Sequence, residues 1–439
     1  MGHLQYYRDR LRPKGQLDWR QWRADNEQRL VSQAPIRFVD PLSAEAIFDV
    51  LRETPEPSYQ EVVTGAFVAD YLLSSGLRLS PLTGMLPFET HLVFGRDEGP
   101  FDLALRCDLD AVATGEGGTR YYAHACGHAT NMAALLSLTP FLVGIASGRV
   151  ALIFQPAEEG PGREEDGYIE PNGYGGGQYL RRKGIYRKVR RLVSCHLDAK
   201  LRPDEVRISP GVATAAAYRF TYHAEGYPCH AALPGNGSNP IDGVQKFLNA
   251  LDELRQELRS LPSDEYGLVT PTQIRTSAND LNTLPKSAWV NGIVRVVGGA
   301  ALQLIQKYIP TGVVSAAVGD DRSILAVNSS FELEAPPVQN DPELAGFASE
   351  VARARGLTVI PDPARFRDET AWAGRFDQPW VENPSEWPTG CDKILHFFVS
   401  PGLQSGGLHT MDFTPDREAV NRQAGMIKGI VERTLASGT

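Results

Sequence analysis

Apolar positions along the 439-residue chain change their period several times, and each change marks a different element. From Ser43 to Ser75 they recur at three and four, the helical spacing, with Thr54-Pro55-Glu56-Pro57 breaking the run in its middle. Leu103-Ala104-Leu105-Arg106-Cys107 reads as a buried strand running into Asp108-Leu109-Asp110. Val150 to Gln155 is a second apolar strand, ending in Pro156-Ala157-Glu158-Glu159, and Leu192-Val193-Ser194-Cys195 is a third, ending at His196. Helices are predicted at Asn131 to Ile145 and from Gln178 to Arg182. Strand alternating with helix predicts the α/β class, with a mostly parallel sheet covered on both faces. Ligand sites in such sheets gather outside the carboxyl ends of the strands, where Asp108, Glu158, Glu159 and His196 fall.

From about Ala215 the pattern alternates instead. Tyr218 to Tyr222 and Trp289 to Arg295 read as half-buried strands, with helices at Asn239 to Leu261 and Ala300 to Lys307. This predicts a smaller α+β unit at 215–335, set between a first catalytic part at 1–214 and a second at 336–439. Pro336-Pro337 marks the return, and a helix from Arg417 to Leu435 closes the chain. Residues 1 to about 40, polar and rich in arginine and tryptophan, read as a helical amino-terminal extension.

Composition narrows the class. The chain is 42% hydrophobic and 22% charged, ordinary for a globular protein, and its net charge of -9 argues against nucleic acid or an anionic membrane as main partner. There is no signal-peptide pattern and no apolar run of spanning length. Five cysteines form no visible disulfide framework. A cytoplasmic enzyme is expected.

Candidate chemistry centres on His124-Ala125-Cys126-Gly127-His128. Imidazole and thiolate suit borderline metals, and in an extended segment this spacing would put all three side chains on one face. Glu158-Glu159 could divide labour, one binding metal and the other taking a proton from water, although such a pair is more commonly a solvated acidic loop. Asp108 and Asp110 have the same bland reading, and His196 alone would be a core histidine. His409 lies in a glycine-softened loop, Gly406 to Phe413. The set carries more weight than any member.

Several segments together resemble the amidohydrolase branch of the aminoacylase and carboxypeptidase metallohydrolases, the group with hippurate hydrolase and the indole-acetyl-amino-acid hydrolases. Pro55-Glu56 through Glu61 to Gly76 resembles the opening helix. Arg106 to Ala111 resembles R-x-D-x-D-A, and His124 to His128 matches H-A-C-G-H. Phe154 to Glu159 matches F-Q-P-A-E-E, Gly226 to Ala232 resembles G-x-x-x-H-A-A, and Asn282 to Pro285 resembles N-x-I-P. The resemblance spans roughly residues 45 to 430. It implies two divalent metal ions per subunit, zinc or manganese, held by Cys126, His128, Glu159, His196 and His409. It implies Glu158 as the base that activates water, Asp108 as the acid supporting the metal site, and His230 as the group that steadies the oxyanion. Asn282 and Arg295 are candidates for a substrate carboxylate, and 215–335 for a lid and dimerisation unit. The implied partners are a small carboxylate-bearing substrate and a second copy in a homodimer.

The chain departs from that pattern just after H-A-C-G-H, where Ala129 and Asn131 replace an aspartate and a histidine, and near the carboxyl end at Pro388 to Lys393. Metal-activated water attacking the amide of an N-acyl or aryl amino acid is the first expectation. The alternative is hydrolytic deamination of an aromatic amine acid, as in conversion of 5-nitroanthranilate to 5-nitrosalicylate. A third reading, a non-catalytic binding protein on the same fold, would be favoured by loss of Glu158 or the ligands, and all are present.

Overall fold

Uninterrupted apolar runs become the central strands of one sheet, and alternating runs become a second. The computed structural model describes residues 42–75, 92–95, 100–114, 121–145, 149–163, 168–169, 171–309, 312–314, 326–374, 390–403, 406–410 and 412–437. The expected amino-terminal extension, Gly76, Pro388-Thr389 and Met411 lie outside the described residues. The first strands are Leu92–Gly95 (β1), Leu103–Asp108 (β2), Val150–Gln155 (β3), Arg191–Leu197 (β4) and Glu205–Arg207 (β5). Then come Ala216–Glu225 (β6), Tyr266–Thr276 (β7), Ser287–Val297 (β8), Gly312–Val314 (β9) and Ala326–Ala335 (β10). Thr358–Ile360 (β11) and Lys393–Val399 (β12) follow. The seven-stranded sheet has the order β1-β3-β2-β4-β12-β5-β11, and β3, β2, β4 and β12 run parallel at its centre. The five-stranded sheet has the order β7-β8-β6-β10-β9 and is antiparallel.

The central strands are mostly apolar because both faces are covered. On β3, Leu152 and Phe154 join one core, while Ala151 and Ile153 join another on the opposite face. Helices Ala44–Arg52 (α1), Val62–Ser74 (α2) and His128–Ser137 (α3) pack in the first core, and Gly176–Arg182 (α4) packs in the second. The five-stranded sheet buries one face under Pro240–Leu258 (α5) and Gly299–Tyr308 (α6). Pro342–Ala354 (α7) and Arg417–Ala436 (α8) return to the first core. Helix starts follow their caps. Asn239 accepts from the Ile241 N–H at 3.2 Å with Pro240 in the first turn, and Asp416 accepts from Ala419 at 2.7 Å.

Two expectations are corrected. The helix expected at Asn131 to Ile145 begins at His128, ends at Ser137 and is followed by a separate short helix, Thr139–Gly144. Gly127, at φ 104, turns the chain into α3 earlier, and Pro140 cannot continue it. His196 lies inside β4, beside Phe398 of β12, rather than beyond the strand end. Among the described residues no helix is long and apolar enough to cross a membrane.

Candidate metal centre

Strained backbone marks where the site is built. Among the described residues, the non-glycine residues with positive φ are Tyr59, Ala157 and His409, at 62, 53 and 64°. Such conformations cost about 1–3 kcal/mol each and persist only where surroundings enforce them. Buried Glu61 does so for two of them, its Oε1 accepting from the N–H of Tyr59 at 3.0 Å and of Ala157 at 2.8 Å. The His409 N–H donates to the Ala125 carbonyl at 2.8 Å. Ala157 thereby aims Glu158 and Glu159, and His409 is fixed beside the segment holding Cys126.

The turn at Gly127 overturns the extended reading of His124 to His128. Cys126 precedes the turn, His128 opens α3, and His124 is buried outside the metal-capable groups. Among the described residues those groups are three: Cys126, His128 and His196; Cys126, Glu159 and His409; and His128, Glu158 and Glu159, each with donor atoms within 4.8 Å of one another. Any two of them share a residue. Cys126 Sγ lies 3.4 Å from His196 Nε2 and 3.1 Å from His409 Nε2, and His409 Nε2 lies 3.4 Å from Glu159 Oε1.

Second contacts fix the tautomers. His128 Nδ1 lies 2.8 Å from the Asp110 carbonyl and His196 Nδ1 3.0 Å from the Leu197 carbonyl. A carbonyl only accepts, so both Nδ1 atoms carry the proton and, in the neutral rings, both Nε2 atoms present lone pairs inward. His128 Nε2 is buried without a hydrogen-bond partner. A buried lone pair left over among thiolate, imidazole and carboxylate fits a divalent cation.

The acids of the cluster are shifted by the same neighbours. Burial and the Glu159 carboxylate oppose ionisation of Cys126, yet the His196 and His128 imidazoles outweigh them and bring the thiol down to about 6. Burial also works against Glu159, and His409 overrides it, holding the carboxyl at about 2. Glu158 behaves oppositely. Burial pushes it well above the usual carboxylate range, against the pull of the Arg367 guanidinium.

Asp108 and Asp110 divide. Asp108 pairs with Arg106 at 2.5 Å, whereas Asp110 makes the direct contacts to the site. Besides receiving His128, Asp110 accepts from the N–H groups of Glu158 and Glu159 at 3.1 and 2.9 Å. His230 and Asn282 are exposed neighbours at the rim of the five-stranded unit, joined by the Ala231 N–H donating to the Asn282 carbonyl at 2.6 Å. Neither belongs to a metal-capable group. Arg295 is engaged, its guanidinium 2.9 Å from the Val294 carbonyl and 3.8 Å from Glu334. Sequence reasoning missed Arg367, Asp368 and Glu369, which pack against Glu158 and Arg106. The only local signal there was an Asp-x-Thr turn start at Asp368.

Residues 104–373 match the sequence profile of peptidase family M20/M25/M40. The chain is 29% identical over 330 residues to the N-acetyl-L-cysteine deacetylase of Bacillus subtilis, covering 72% of this chain and 73% of that protein. It is 26% identical to IAA-amino acid hydrolase ILR1-like 2 of Arabidopsis thaliana, covering 69% of this chain and 67% of that protein. In structure it resembles the Bacillus subtilis YXEP protein, described as a dinuclear metal binding peptidase from the M20 family, with a TM-score of 0.62 at 19% identity over 94% of this chain and 99% of that one. An amidase of the hydantoinase/carbamoylase family from Burkholderia phymatum matches with a TM-score of 0.59 at 12% identity, over 92% and 100% of the two chains.

Proposed function

The chain belongs to peptidase family M20/M25/M40 and is a hydrolase of C–N bonds, and on that premise we propose that it cleaves the amide of an N-acyl or aryl amino acid. One observation carries the reading: three overlapping sets of nitrogen, oxygen and sulfur donors interlock, two of them through the Cys126 thiol and the third including the buried carboxyl of Glu158. Cys126, His128, Glu159, His196 and His409 would hold two divalent ions, zinc or manganese. Such ions lower the pKa of water and polarise the carbonyl under attack.

The chain's own groups do the rest. Glu158, whose burial raises its affinity for a proton, takes the proton from the attacking water and returns it to the leaving amine. Asp110 keeps His128 and the Glu158-Glu159 turn in register, and Asp108 pairs with Arg106, which holds Asp368 and Thr370 beneath the site. The Ala232 N–H donates to His230 Nδ1 at 3.1 Å, which turns Nε2 outward, and from the far end of β8 His230 would steady an oxyanion in the site of a second copy across the homodimer. Arg295 lies at the opposite end of β8 from Asn282 and its guanidinium is close enough to feel the Glu158 carboxylate, so Arg295 is suited to a substrate carboxylate, while the exposed Asn282 stands with His230. The unit at 215–335 then serves as lid and homodimer contact, a reading supported by exposed Ile274 and Leu281 on it.

Glu158→Gln is expected to keep its metal content, measured by elemental analysis, while turnover falls about 10²–10⁴-fold. A variant that still turns over removes Glu158 as the base. Products decide the bond. Metal-loaded enzyme given N-acyl amino acids should release the free amino acid. Ammonia and a phenol released from aminobenzoates would instead establish the aryl deamination.

A further inference from the structure

Glu158 is gripped at one end only. Its Oε1 accepts from the Glu369 N–H at 3.3 Å and lies 3.8 Å from Arg367 Nη1. Its carbonyl accepts from Arg367 Nη2 at 3.2 Å. The other carboxylate oxygen, Oε2, faces His128 Nε2 at 3.8 Å. One guanidinium therefore spans the main chain and the side chain of the same residue, and one oxygen remains turned to the metal-capable cluster.

The segment that supplies this grip is itself anchored beneath the site. Asp368 accepts from the Thr370 N–H at 2.7 Å and lies 3.3 Å from both Arg106 Nη1 and His396 Nε2. Arg106 also donates to Thr370 Oγ1 at 2.7 Å. Glu369 accepts from the Gly177 N–H at 2.8 Å and lies 3.3 Å from Arg367. The Arg367 side chain is only 16% exposed, so its placement is set by these partners.

We propose that Arg367 is a positioning residue: with the Glu369 N–H it clamps Glu158 by its carbonyl and Oε1, so that Oε2 alone receives the proton. The inference rests on Glu158 being the base. A free carboxylate would sample rotamers turned from the water, and misplacement by an ångström costs about 10²-fold in rate. Arg367 acts on orientation, so kcat should fall while KM and bound metal stay.

The test compares Arg367→Met and Arg367→Lys with wild type and Glu158→Gln, all metal-loaded. Arg367→Met should lose about 10²-fold in kcat with KM and metal content unchanged. Arg367→Lys, which keeps a donor at one of the two contacts, should fall between it and wild type. A crystal structure of Arg367→Met should show Glu158 in a second conformer, with Oε1 off the Glu369 N–H. Wild-type kcat in Arg367→Met, a loss confined to KM, or a single unmoved Glu158 conformer overturns the inference. Should Arg367→Met not fold, Arg367→Lys decides, and wild-type kcat there overturns it as well. An active Glu158→Gln brings down the base itself, whereas an inactive Glu158→Gln beside an unaffected Arg367→Met brings down only the clamp.

Discussion

The two sheets bury different things. The seven-stranded sheet hides Arg106 and Asp108 on β2, His196 on β4 and His396 on β12, each at most 4% exposed. The five-stranded sheet hides Phe220, Tyr222, Val290, Val294 and Val296. Its ion pair between Arg219 and Glu334 keeps the arginine side chain 65% exposed. Taking a charge out of water costs several kcal/mol unless a partner compensates. A sheet that retains buried charge in the middle of apolar strands has a use for it, and here the metal-capable cluster lies at that sheet. Apart from the largely buried Arg295–Glu334 pair, the second sheet follows the ordinary division of apolar inside and charged outside, and its contribution is a rim rather than a centre.

That contrast can be broken most forcefully at Arg106. Its guanidinium joins Asp108, Asp368, Thr370 and Gln155 where no water reaches. Arg106→Met leaves two carboxyl groups buried against each other. It is expected to cost about 3–5 kcal/mol in chemical denaturation, the scale for breaking a buried ion pair. A loss below about 1 kcal/mol, the scale of an exposed pair, would show that the fold does not depend on the buried network.

How far this was legible in the sequence follows the same division. Local pattern is enough where neighbours in the chain decide the structure. The apolar runs at Leu103 and Val150 become β2 and β3, and Asn239-Pro240 caps α5 within a residue of its expected start. The Cys126, His128, Glu158 and Glu159 grouping was legible because each stands in a short motif at a strand or helix end. Two things were not. Alternation in His124 to His128 suggested an extended segment, but a glycine at φ 104 overrode it, and alternation says nothing of which glycine adopts a left-handed turn. Arg367 reaches the Glu158 carbonyl across 209 residues, so no local period could announce it. Asp110 was visible but looked like a surface acid after a strand, and only the hydrogen bonds it accepts from Glu158 and Glu159 distinguish it from Asp108.

The smallest expected effect sharpens the comparison from the other side. Arg219 donates from Nη2 to Glu334 Oε1 at 2.7 Å, a good geometry, yet it does so at the surface of the five-stranded sheet. Coulomb attraction there is weakened by water, and ordering a long side chain offsets much of what remains. Arg219→Ala should therefore cost no more than about 1 kcal/mol in the same denaturation experiment, and less as salt is raised. Glu334 keeps Arg295 at 3.8 Å after the substitution, so its carboxylate is not stranded. A cost equal to that of Arg106→Met would mean that the fold depends on the outer ion pair as heavily as on the buried network, and the site could no longer be assigned to one sheet by where the charge is hidden.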